Sequence, residues 1–191
     1  MSSFDLPAFV LTLRDRVDRH ANIHQQMAQI PRVRYRLVIS DRDENPVLGN
    51  LNSHIEALRR GRRVKTNYFL IFEDDFNVKQ PADFVTQIHT LVGQLDKWDI
   101  LVLGCLTTVP ANSLGPLTAF AGAQAYLVNK ASVDKIICHL MTSQRIEWGL
   151  CETNVYVARP LLCDVITSPS SISKEVFDAP ELHHMICQCV S

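Results

Sequence analysis

Short apolar runs alternate along this chain with segments patterned at the helical period, and that alternation restricts the architectures open to it. Residues 8–13 form an apolar run suited to a buried strand, after which Val17, Ile23, Met27 and Ile30 recur near helical spacing until Pro31 ends the pattern. Residues 34–39 predict a second strand and residues 41–46 a polar loop. A Ser53-x-x-Glu56 capping box predicts a helix that begins at Ser53 and stops near Gly61. Residues 67–72 predict a third strand; Phe84, Ile88, Leu91, Val92 and Leu95 then mark one face of a helix opened by Pro81. Residues 100–103 and 123–128 predict further strands, and Val133, Ile136, Ile137, Leu140 and Met141 line a following helix, with Met27 and Met141 both read as core. Between those strands, residues 104–122 carry Pro110 and Pro116 and few periodic signals, which predicts a functional loop or lid. The whole predicts an α/β fold: a mostly parallel sheet with helices on both faces.

Composition narrows the class. A chain of 191 residues, 47% hydrophobic and 20% charged, can bury one core and is neither disordered nor collagen-like. Nineteen Lys and Arg against 20 Asp and Glu give a net charge of -1, so no global field draws in nucleic acid. The longest apolar runs, such as residues 69–72 and 100–103, fall far short of the roughly 18 residues of a membrane span. Asp5 interrupts the N-terminal segment and no basic residue precedes Leu6, which argues against a secretory signal and for a cytoplasmic location. The six cysteines are scattered without a CxxC pair, so reduced thiols are expected. Cys187-Gln188-Cys189, with His183 and His184 upstream, has soft-metal ligands but is read as a frayed tail. With no repeat or Gly/Ser linker, one domain is expected over residues 1–180, followed by a tail at 181–191.

The chemistry concentrates at one strand end. Glu73-Asp74-Asp75 follows directly on the predicted strand at 67–72, at the carboxyl edge of the sheet, where ligands of such folds gather. Side chains two apart on an extended segment share a face, so Glu73 and Asp75 are expected to point together and Asp74 away. Hard oxygen ligands with open positions beside them suit Mg²⁺ or Mn²⁺ and a phosphorylated donor. A solvated acidic turn explains the same spacing equally well. An aspartyl phosphotransfer site fits less well, because Glu73 leads the run where such a site needs its nucleophile. Arg59-Arg60-Gly61-Arg62-Arg63 is read as cations complementing a helix C-terminus.

Several segments, in order, resemble glycosyltransferase family 25, the lipopolysaccharide and collagen-type transferases. Residues 10–19 resemble its opening V-I-N-L-x-x-R-x-D-R, with Thr12 in place of Asn; residues 38–42 stand at its A-V-D-G loop, with Ser40 and Arg42 flanking Asp41. Gly49-x-x-x-Ser53-His54 is similar to G-x-x-x-S-H, and residues 69–75 to L-I-L-E-D-D. Residues 98–104 resemble W-D-x-x-x-L-G, residues 122–128 resemble G-x-x-A-Y-x-x, and Ser171-Ile172 echoes a terminal S-D-I. Glu147-Trp148 stands where the family commonly has D-W.

The resemblance implies a single GT-A (Rossmann-like) domain that transfers a sugar, with inversion, from a UDP-linked donor to a hydroxyl of a glycan, lipid-linked or protein acceptor. It implies Mn²⁺ or Mg²⁺ on Asp75 and Glu73, and donor contacts from Thr12, Leu13, Arg16, Arg19, Asp41, Ser53, His54 and Asp74. Glu147 would be the catalytic base, with Trp148 beside it to stack on a sugar. Alternatives stand beside these roles. The arginines can form ion pairs with Asp15 or Asp18, Ser53 can be a helix cap, His54 a buried hydrogen-bonding partner, and Glu147-Trp148 a helix terminus with a core Trp. For the whole chain the alternative is a catalytically inactive GT-A-like module that binds a nucleotide or a partner.

Overall fold

The computed structural model describes residues 5–106, 114–117 and 120–165. The expected tail at 181–191, the Cys187 and Cys189 cluster, Ser171-Ile172 and the middle of the expected 104–122 loop lie outside the described residues. In chain order the elements are β1 (Leu6–Leu13), α1 (Val17–Ala28), β2 (Val33–Ser40), α2 (Pro46–Gly61), β3 (Tyr68–Glu73), β4 (Phe76–Val78) and α3 (Phe84–Val92), and then β5 (Ile100–Leu106), β6 (Gly115–Pro116), β7 (Ala121–Asn129), α4 (Val133–Thr142), α5 (Ile146–Cys151), β8 (Val155–Val157) and β9 (Cys163–Val165).

A seven-stranded sheet runs β2-β1-β3-β7-β5-β8-β6, and β4 pairs with β9 in a separate ribbon. Strands β1, β2, β3, β5 and β8 point one way, so the sheet is mostly parallel as expected. β7 is reversed between β3 and β5, and β6 is reversed against β8. The reversal of β7 brings its first residues to the edge where β3 ends.

The strands alternate between two cores. Phe9, Phe69, Ile71 and Tyr126 face Leu51, Ile55 and Leu58 of α2 together with α4 and α5. Val10, Leu70, Phe72 and Leu127 face Ile23 and Met27 of α1, Phe84 and Ile88 of α3, and the ribbon. Both faces are therefore covered, which is why these strands read as near-continuous apolar runs. At the end of α2, Gly61 lies against the sheet so closely that a Cβ would stand 2.1 Å from the Phe69 ring.

Several expectations are corrected. Helix α2 starts at Pro46, not Ser53: the Asn45 side chain accepts from Val47 N at 3.1 Å and Leu48 N at 3.2 Å, and Pro46 occupies the first turn. Ser53 instead donates back to the Gly49 carbonyl at 2.9 Å, while Glu56 accepts from Arg60 at 2.8 Å. Pro81 lies ahead of α3, which begins at Phe84. Met141 is 68% exposed, because Val133, Ile136 and Leu140 set the buried face of α4. The span expected as a loop from Gly104 continues β5 to Leu106 and contains β6. Short elements with too few residues to show a period, β4, β6, β8, β9 and α5, escaped the sequence.

Asp99 joins three of these elements. It accepts hydrogen bonds from Ser132, from Lys135 Nζ at 2.6 Å and from Asn154 N at 2.8 Å, so the start of β5 is tied to the approaches of α4 and β8. Burial pushes its carboxyl up, but the Lys135, Ser132 and Asn154 bonds outweigh burial and hold it below the usual range. A depressed carboxyl stabilises the fold above its unfolded value, and that contribution disappears as pH falls through the folded value. Asp99→Asn is expected to cost about 1.5–3 kcal/mol at neutral pH. In thermal melts taken across pH, the gap from the parent should close below about pH 4.

Candidate active site

A cleft of about 210 Å³ opens at the carboxyl ends of β1 and β3. Its walls come from the end of β1, Arg19 of α1, the turn after β2, the first half of α2, and the acid run. Thr12, Leu13, Arg19, Asp41, Ser53, Glu73, Asp74 and Asp75, all singled out in the sequence, line it.

The three acids have different partners. β3 ends at Glu73, and Asp74 and Asp75 lie in a turn leading to β4, so the pleat stops before it can send Asp74 away. Asp74 accepts from Thr12 Oγ1 at 2.8 Å and is ion-paired to Arg19, with both side chains nearly buried. Glu73 Oε1 accepts from His54 Nε2 at 3.1 Å and from Asn50 Nδ2 at 3.3 Å. Burial raises the Glu73 carboxyl, but the His54 and Asn50 bonds bring it below its ordinary value.

Asp75 is left over. Its Oδ1 is buried without a hydrogen-bond partner, and its Oδ2 stands 3.6 Å from Arg19 Nη1. Burial, and then the negative charge of Glu73, pushes its carboxyl up to about 7. An acid in this position gains from a cation or a proton.

Other expected contacts lie elsewhere. Arg16 is off the cleft and pairs with Asp18 at 3.1 Å, as the ion-pair alternative anticipates. His54 is fully buried, on the side of α2 turned to the sheet, and its Nδ1 is 2.7 Å from the Tyr126 hydroxyl. It cannot touch a ligand in the cleft. Arg14 pairs with Asp41 at 2.7 Å and Arg42 with Asp15 at 2.5 Å, both pairs exposed.

Glu147, at the start of α5, lies off the cleft lining and accepts from Gly122 N at 3.0 Å. Burial, and the nearby charge of Glu73, raise its carboxyl. Trp148 is 42% exposed, which rules out a core Trp, and the Arg145 guanidinium lies 5.8 Å from its ring centre. Sequence reasoning missed Asn50, Asp43 and Tyr126. The signal was present for Asn50: Gly49, Asn50 and Ser53 share a helical face, but placing the helix start at Ser53 hid it.

Among the described residues, no cluster of at least three His, Cys, Asp or Glu side chains forms a metal cage, and no helix is long and apolar enough to cross a membrane.

No protein-family model and no curated protein matches the sequence. Solved structures do. S. aureus TarS, residues 1–349, matches with a TM-score of 0.52 at 9% identity, over 85% of this chain and 60% of that one. The mannosyltransferase PcManGT from Pyrobaculum calidifontis, solved with GDP-Man and Mn²⁺, matches with 0.51 at 9% identity, over 88% and 58%. The fold is GT-A-like. This chain spans about three-fifths of the length of each of those two structures.

Arg19 holds the acid run together within this fold. Arg19→Met strands Asp74 in the interior and should cost about 3–5 kcal/mol in urea unfolding. Adding Asp74→Leu should return part of that loss, giving a non-additive cycle.

Proposed function

We propose that this protein is a metal-dependent glycosyltransferase that moves a sugar from a nucleotide-sugar donor, UDP-linked as the family 25 resemblance implies, to an acceptor hydroxyl. The observation that carries the reading is Asp75: a buried, unpartnered carboxylate oxygen at the carboxyl edge of a GT-A-like sheet. The acceptor class is left among glycan, lipid-linked and protein hydroxyls.

The donor set fits a hard divalent ion. Mg²⁺, and by the same preference for oxygen Mn²⁺, is held through one or two carboxylates together with substrate phosphates. Asp75 would hold the ion, with Glu73 beside it, since His54 and Asn50 both bond Glu73 through Oε1, whereas Asp74 is engaged by Arg19 and Thr12. When bound, the ion offsets negative charge gathering on the departing diphosphate. PcManGT, solved with GDP-Man and Mn²⁺, supports the same pairing of ion and donor.

The chain's own groups divide the remaining work. Thr12, Leu13, Asp41 and Ser53 line the cleft and would serve the nucleotide, with Asp41 as an acceptor for a ribose hydroxyl. Arg19 contributes fixed positive charge beside the phosphates. Glu73 is kept as a carboxylate by His54, which acts from beneath the cleft as a positioning residue. Glu147, outside the cleft lining, is the group that would take the proton of the attacking hydroxyl, and its raised proton affinity suits that role. The inactive-module alternative leaves the cost of crowding acids in one cleft without a return.

The test is hydrolysis of UDP-glucose, UDP-galactose and GDP-mannose with Mn²⁺, with and without a chelator. Chelator-sensitive turnover is expected, falling by about 10²–10³-fold in Asp75→Asn. Glu147→Gln should lower transfer to an acceptor by about 10²–10⁴-fold. No metal-dependent turnover with any donor would favour the binding module.

A further inference from the structure

Gln124 is a polar residue inside the protein with no evident structural task. It is 7% exposed, and its Oε1 is buried without a hydrogen-bond partner. Among the described residues, the buried side-chain oxygens in that condition are Asp75 Oδ1 and Gln124 Oε1. They stand at the same end of neighbouring strands: Asp75 just beyond β3, and Gln124 one residue before Ala125, which pairs with Phe72 of β3. Leaving a buried amide oxygen unpaired costs stability, and native proteins seldom keep such a group without use.

The backbone around it is built to make room. Gly122 has φ +76°, and a Cβ there would lie 2.1 Å from Gln124 Nε2. Glycine supplies the left-handed conformation, and a side chain in its place would push the Gln124 amide from its present position. The N–H of that glycine is held by Glu147, so the amide packs over a backbone segment tied to the proposed base.

We propose that Gln124 is a specificity residue for the transferred sugar, its Oε1 accepting a hydrogen bond from a ring hydroxyl of the donor. The assignment rests on the glycosyltransferase reading. An unpaired acceptor calls for a ligand with donors to spare. A diphosphate has none to give, whereas a sugar carries a hydroxyl on most of its ring carbons.

The test compares the parent with Gln124→Met, which keeps the length of the side chain and removes the polar group. Calorimetric titration with Mn²⁺ and UDP, GDP, UDP-glucose, UDP-galactose, UDP-N-acetylglucosamine and GDP-mannose measures how much the sugar adds to nucleotide affinity. The parent should prefer one nucleotide sugar to its bare nucleotide. Gln124→Met should keep nucleotide affinity, lose about tenfold or more of that preference, and melt at or above the parent's temperature when free. An undiminished sugar preference in Gln124→Met overturns the assignment, as does a lower melting temperature with bare-nucleotide affinity lost alongside. A loss seen only when a saccharide acceptor is added to the nucleotide complex overturns the donor assignment. If no nucleotide binds the parent, the glycosyltransferase reading fails first, and this one with it.

Discussion

A guanidinium buried beside aspartates makes the cleft possible. Arg19 reaches from α1 to Asp74 and stands near Asp75, while Thr12 of β1 completes Asp74 from the other side. Like charges about 4 Å apart repel by roughly 4 kcal/mol at an effective dielectric constant of 20, so three neighbouring carboxylates could not enter one concavity unaided. One arginine cannot neutralise them all. His54 and Asn50 steady Glu73 by hydrogen bonds, and the imbalance that remains falls on Asp75. A cleft that stays negative favours a cation over an anion, and Asp75 is where a cation gains most.

The reversed strand β7 supplies the other half of the geometry. Parallel strands present only their carboxyl ends to the site. β7 runs the opposite way between β3 and β5 and so brings its first residues to the same edge. Gly122 and Gln124 arrive there from the opposite direction, and Tyr126, one pleat deeper, stacks on His54 with ring centres 5.7 Å apart and planes within 18°. A chain of contacts therefore runs from the middle of the sheet through α2 to Glu73.

Much of this was legible in the chain. Apolar runs located the strands buried on both faces, and the acid run at the end of one of them located the cleft. The errors have a common physical origin, which is that motif adjacency is not spatial adjacency. Ser53 and His54 stand side by side in the sequence, but successive residues on a helix point about 100° apart. Ser53 therefore lines the cleft while His54 turns into the sheet. Glu73 and Asp75 were paired on the premise of an extended chain, whereas a turn begins after Glu73 and sends Asp74 to Arg19. Arg16 and Arg19 belong to one motif, yet only Arg19 falls on the buried side of α1. No composition or spacing rule could have found Gln124, because what marks it is the lack of a partner in three dimensions.

Glu73 and Glu147 show how one polar cluster supports opposite demands. Each is drawn toward the protonated form by burial. Glu73 is returned below its ordinary value by hydrogen bonds from His54 and Asn50. Glu147 is bonded by its own backbone N–H and by that of Gly122, too little to offset burial, and the charge held on Glu73 pushes it further the same way. Separating two carboxyls in this manner is how a site obtains both a fixed anion and a group ready to take up a proton. His54 therefore acts on Glu147 in two opposing ways: it helps keep Glu73 charged, which raises the Glu147 carboxyl, while its own field lowers it.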